Sequence, residues 1–173
     1  MFAAVTQIGE SFVGAGAEAA HINTVLGRFG GPVETAWVTA LATPRIGHAP
    51  FVAVLAPNLA VKPLTLFVNK ADIRSEEQGR LVWGAAQAGV AGGVADAVGD
   101  GVIPEAEVDS LLIVAAVWVD WAAAVADAVY ANNRDATRAA LAAGAAGRPA
   151  IADVLAAREQ PENAYYRSGR LPG

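Results

Sequence analysis

Few side chains in this 173-residue sequence are equipped to move protons, and they sit in short polar breaks within apolar runs. His21 stands in AEAAHINTVLG, Lys70 and Asp72 in LFVNKAD, Gln87 in WGAAQAGVAGG, and His48 in RIGHAP. An imidazole titrates near pH ~6.5, so one histidine can both give and recover a proton at neutral pH. On an extended strand, residues i and i+2 share a face. His21 is therefore expected to point the same way as Asn23, and Lys70 the same way as Asp72. Two polar pairs at the ends of apolar strands are where a sheet presents groups to solvent. Residue type alone favours a blander reading. It makes His21 a half-buried side chain bonded to a backbone carbonyl, and Lys70 and Asp72 a solvated strand end contributing about 0–1 kcal/mol. Gln87 reads as an amide on a helix of small residues, and His48 as an exposed loop residue.

Composition removes several function classes. The net charge of −5, with no cluster of Lys and Arg, opposes binding to a phosphate backbone. The absence of cysteine excludes disulfides, thiolate catalysis and every cysteine-based metal pattern. Two histidines without carboxylates at ligand spacing make a poor metal site, so no metal is expected. GGVADAVGDG lacks the glycine spacing and preceding strand of a dinucleotide fold, and no serine stands on an elbow motif. The N-terminus has no basic leader and carries Glu10 early, and the apolar run at 111–119 is short for a bilayer. These features predict a soluble, cytoplasmic chain without a membrane partner.

The elements that must position the polar residues follow from periodicity and punctuation. Residues 3–13 and 18–26 read as a hairpin around GAGA, and Pro32 starts a short helix in PVETAWVTALAT. PFVAVLAP and LTLFVNKAD read as strands. Ser75 is a candidate N-cap, with Glu76 and Glu77 in the first turn, for a helix reaching the glycines near 99–101. The glycines inside that helix point to close approach of another backbone. IPEAEVDS is a turn with a short helical start, LLIVAAVWV a buried strand, and WAAAVADAVYANNRDATRAALAAGA a long helix. The order β-β-α-β-β-α-β-α predicts an α+β fold, one domain over 1–173, with a mixed sheet and helices packed on one side. Residues 158–173 form a polar tail, frayed or draped on a neighbour.

Several strings taken in order resemble the formaldehyde-activating enzyme family: GESFVGAGAEAAHIN, GGPVETAW, AVLAPNLAVKPLTLFVNKADI, AAQAGVAGGVADAVGDGVIP and GRPA. The resemblance runs over about residues 5 to 150. It implies a fold similar to the second domain of a small-ribosomal-subunit protein, assembled as homopentamers with sites in clefts between subunits. It also implies condensation of formaldehyde with tetrahydromethanopterin, a reduced pterin co-substrate, to the methylene derivative and water. In that chemistry a pterin nitrogen adds to formaldehyde, and a proton donor lets the resulting hydroxyl leave as water. The resemblance places that donor at His21 and substrate contacts at Asn23, Val52, Lys70, Asp72 and Gln87. Three positions depart from the family pattern. Asn23 replaces an aspartate, Asp72 a threonine, and Ala88 a histidine. Three readings follow: an active enzyme, a non-catalytic paralogue binding a pterin or formaldehyde adduct as sensor or carrier, and aldehyde capture by the amine of Lys62 or Lys70 without pterin.

Overall fold

The computed structural model describes residues 6–167. Expectations for residues 3–5 and for the end of the tail, 168–173, lie outside them. The N-terminal hairpin forms as expected, from β1 (Gln7–Val13) and β2 (Ala20–Arg28) around a single 3-10 turn at Gly16–Glu18. After α1 (Pro32–Ala42) come β3 (Pro50–Val52), a small ribbon of β4 (Val54–Ala56) and β5 (Leu59–Ala60), and β6 (Leu64–Asn69). The next helical run opens with α2 (Glu76–Arg80), passes a π turn at Leu81–Ala86 and continues as α3 (Gln87–Gly99). Ser75 caps it as expected, its Oγ accepting from the Gln78 N–H at 3.1 Å. A 3-10 turn at Glu105–Ser110 leads into β7 (Leu111–Trp118). Then follow α4 (Ala126–Ala145), α5 (Ile151–Ala157) and a last ribbon, β8 (Glu162–Asn163) with β9 (Tyr166–Arg167).

Five strands make one mixed sheet in the order β1-β2-β7-β6-β3, antiparallel except for the β6–β7 pair. The α+β class and mixed sheet match the expectation. The placement of all helices on one side does not. Ile22, Leu26, Phe67, Ile113, Ala115 and Val117 pack with the α3 and α4 side chains. Leu66, Val68 and Leu112 instead form a second core with Val33 and Trp37 of α1 on the opposite face. The cause lies in the strands: LTLFVN and LLIVAAVW are apolar at successive positions, so both faces need cover. The tail is also more ordered than expected, since the last ribbon of β8 and β9 occupies part of it.

The run from Glu76 to Gly99 is 24 residues long and apolar enough, by length and composition, to cross a bilayer. Its apolar character serves packing here, because its glycine stripe meets another helix. A Cβ built on Gly89 would lie 2.5 Å from the Tyr130 carbonyl oxygen, and one on Gly93 would lie 2.4 Å from that of Arg134. On the sheet, a Cβ at Gly9 would fall 1.8 Å from the Ala140 oxygen, so α4 rests directly on β1. Helix propensity alone favours alanine over glycine by about 1 kcal/mol at both Gly92 and Gly93. Packing separates them, because Gly92 faces only the flexible Arg134 side chain at 3.4 Å. Urea unfolding should show Gly93→Ala destabilised by about 1–3 kcal/mol and Gly92→Ala neutral or stabilised.

Candidate active site

The face of the sheet that carries α1 is covered at one end only. At the other end the register lines up two rows of side chains. Phe12 pairs with His21, and His21 with Trp118. One step along, Glu10 pairs with Asn23, Asn23 with Ala116, and Ala116 with Val68. The small Ala116 leaves room above the sheet between β2 and β6. Lys70 uses that room: its Nζ donates to Asn23 Oδ1 at 2.7 Å. The chain beyond β6 is held in place for this reach, with Lys70 N–H bonded to the Val117 carbonyl at 2.9 Å. Further along, Asn69 Nδ2 donates to the Ala71 carbonyl, and Trp121 Nε1 donates to that of Asp72 at 2.9 Å.

Glu10 comes from outside the expected set of site residues. Its Oε1 lies 2.9 Å from His21 Nε2, diagonally across the β1–β2 hairpin. The bond fixes the ring and leaves Nδ1 as the nitrogen not engaged by Glu10. The Phe12 ring lies against the imidazole, with centroids 6.1 Å apart. Over this corner folds the last ribbon, with Tyr165 edge-on to Trp118 at 5.9 Å. Together they shape a half-open cavity of about 720 Å³ lined by Glu10, Phe12, His21, Lys70, Trp118 and residues 162–165. That volume lies within the usual range for small-molecule sites. Burial pushes the Lys70 amine below the usual lysine range, opposed in part by the Glu10 charge. Burial also raises the Tyr165 hydroxyl, with a smaller push from Asp120.

Comparison with known proteins gives this arrangement a family. The family model described as formaldehyde-activating enzyme matches residues 8–166. The chain belongs to the formaldehyde-activating enzyme family. It is 43% identical over 160 residues to 5,6,7,8-tetrahydromethanopterin hydro-lyase of Methanosarcina barkeri, covering 92% of this chain and 90% of that protein. It is also 40% identical over 149 residues to the bifunctional enzyme Fae/Hps of the same organism, covering 86% of this chain but 38% of that longer protein. The corresponding protein of Archaeoglobus fulgidus is 39% identical over 135 residues, covering 78% of this chain and 34% of its own length.

Within this formaldehyde-activating enzyme fold, the residues expected at the site fall into two groups. His21, Asn23 and Lys70 meet at the cavity. Asp72 does not share their face, because β6 ends at Asn69 and the chain turns away. The expected pairing of Lys70 with Asp72 along one strand is thus replaced by Lys70 with Asn23. The Asp72 carboxylate lies where a Cβ on Gly47 would meet it at 2.8 Å. Val52 pairs with Leu66 and packs with the α1 core. Gln87 is buried and clamps the backbone of Val54, accepting from its N–H at 2.5 Å and donating to its carbonyl at 3.1 Å. Ala88 follows it on α3, and His48 is exposed in its loop as expected.

Among the described residues, sequence reasoning missed Glu10, Phe12, Trp118 and Tyr165. The first two were within reach, because alternation in QIGESF puts Ile8, Glu10 and Phe12 on one face once the hairpin register is known.

Two substitutions separate catalytic from structural roles. Glu10→Gln keeps a hydrogen-bond acceptor but removes the charge, worth of the order of 1 kcal/mol for a charge-assisted bond. With Glu10 60% exposed, turnover should fall several-fold, up to about tenfold, with the thermal midpoint unchanged. Gln87→Ala should do the reverse to stability. It strips the Val54 N–H and carbonyl of their partner and should cost about 1–3 kcal/mol in urea unfolding.

Proposed function

We propose that this protein condenses formaldehyde with tetrahydromethanopterin to the methylene derivative and water, with His21 as the proton donor. The observation that carries the reading is the His21 imidazole, held by Glu10 in an aromatic-walled cavity. It stands at the position where the resemblance implies a general acid. The 43% identity to a protein named for the same hydro-lyase activity supports it.

The cavity's chemistry fits a flat, hydrogen-bonding heterocycle. Phe12, Trp118 and Tyr165 supply ring faces and edges, and Glu10 and Lys70 supply an acceptor and a donor near them. Aromatic walls exclude water without binding the small aldehyde tightly. The reaction itself joins two amine nitrogens of the pterin through the formaldehyde carbon and expels its oxygen as water. His21 serves the expulsion: the imidazolium gives its proton to the departing hydroxyl, and the ring recovers one when the second nitrogen closes. Glu10 holds the ring through Nε2, so that exchange with substrate falls to Nδ1. Acid catalysis of this kind contributes about 10²–10⁴-fold.

Val52 and Gln87 lie away from the His21 cavity in a single chain. The resemblance implies clefts shared between subunits, and that arrangement would bring these positions to a neighbouring copy's His21. Gln87 retains one lone pair and one N–H beyond its bonds to Val54, so it can support both its own fold and a ligand in such a cleft. Exposed Phe29, Val38, Leu41 and Trp83 supply apolar surface for assembly.

The deciding experiment follows methylene-tetrahydromethanopterin formation against the spontaneous background. Wild type should exceed that background, and His21→Asn should lower the enzymatic excess by about 10²-fold or more while keeping the wild-type thermal midpoint. No excess rate for wild type, alongside measurable pterin binding, would instead establish the non-catalytic carrier.

A further inference from the structure

Lys70 occupies an unusual position for a lysine in this chain. Its amine is half-buried in the cavity floor, and its hydrogen-bond acceptor is the neutral amide of Asn23, at 2.7 Å, rather than a carboxylate. The groups facing it are few. Glu10 is engaged with His21, and Glu162 and Tyr165 come from the roof. The chain's other lysine, Lys62, is exposed and ion-paired with Asp109. A nucleophilic amine must be unprotonated, and a carboxylate partner opposes that while burial beside a neutral amide favours it.

We propose that Lys70 captures formaldehyde covalently in the cavity, holding the carbon on Nζ beside His21. The lone pair of the neutral amine attacks the carbonyl carbon, an N–C bond forms, and the amine proton passes to the oxygen to give a hydroxymethyl group. A proton from the His21 imidazolium then lets that hydroxyl leave as water, and the nitrogen lone pair closes to a protonated imine. Attack by an amine of the pterin forms the new N–C bond. The attacking nitrogen passes its proton to Nζ, and its lone pair expels the Lys70 amine with the electrons of the N–C bond. The second pterin nitrogen then closes on the resulting iminium carbon, and its proton returns to His21. This hand-over rests on the condensation proposed above, whereas the capture needs no pterin. The lowered proton affinity that burial gives Lys70 acts in the same direction.

The asparagine is central to this role. An aspartate at position 23 would sit against Nζ and keep the amine as an ammonium. The replacement that weakens the case for an ordinary family site thus supplies a nucleophile.

The test is reductive trapping without pterin. The full-length protein is mixed with limiting formaldehyde and cyanoborohydride, which reduces a protonated imine to an N-methyl group. Peptide mass mapping then scores Lys70 against Lys62 in the same sample. At neutral pH, Lys70 should be methylated several-fold faster than Lys62. In Asn23→Asp, the Lys70 rate should fall toward that of Lys62 while Lys62 itself is unchanged. Equal or slower trapping at Lys70 in wild type overturns the proposal, and so does an Asn23→Asp rate at Lys70 equal to wild type. The pterin assay runs separately. Condensation without Lys70 trapping sinks only the capture, and trapping without condensation sinks only the proposed overall reaction.

Discussion

The pairing of β2 with β1 and β7 decides which side chains can meet, because side chains alternate faces along a strand. A slip of one residue would turn His21 and Asn23 toward α4 and bring Ile22 to the open face. The register is held from the buried side. Ile22, Thr24 and Leu26 are nearly inaccessible, at 0%, 1% and 1% exposure, and Gly9 lets α4 rest on β1 with no side chain between. The row of His21 and Asn23 is therefore fixed by packing on the opposite face of the sheet. The apolar core under the sheet fixes the polar corner above it.

That corner exists because α1 does not extend over it. Val33 and Trp37 cover Leu66, Val68 and Leu112, and the helix ends at Ala42. Past that cover, the strands change character on the same face. Apolar branched residues give way to Glu10, His21, Asn23 and Trp118, with Ala116 as the low point between them. The last ribbon borders the opening through Tyr165 on Trp118 rather than through a helix.

Much of this was legible in the sequence. Strand alternation put His21 beside Asn23, the apolar runs gave the mixed sheet, and SEEQ gave the helix start. The failures have physical causes. Alternation extended past Asn69 aligned Asp72 with Lys70, but a strand's end is set by its partner, and β7 pairs with β6 only as far as Asn69. The second layer was missed because a run such as LLIVAAVW needs cover on both faces without saying which helix supplies it, and only three-dimensional packing shows where α1 lies. Glu10 was missed because alternation puts it on the face of Phe12, but only the hairpin register sets it against His21. Family resemblance pointed to His21 and Lys70, which line one cavity, but gave Gln87 a ligand role without its structural one, the clamp on Val54.

Asn23 shows how one neutral atom group reshapes the electrostatics of such a corner. With an aspartate there, two carboxylates would face one imidazole and one amine, and both bases would have an anion of their own. With asparagine, Glu10 is the carboxylate bonded to His21, and Lys70 bonds an amide. A half-buried amine has less water to stabilise its charge, so losing a contact anion matters more here than on an open surface. Glu10 thus stays with the imidazole, and Lys70 is left with a neutral amide in place of a contact anion. Opposite roles for neighbouring groups need such opposite surroundings. In this chain one side-chain amide, between two strands of fixed register, provides them.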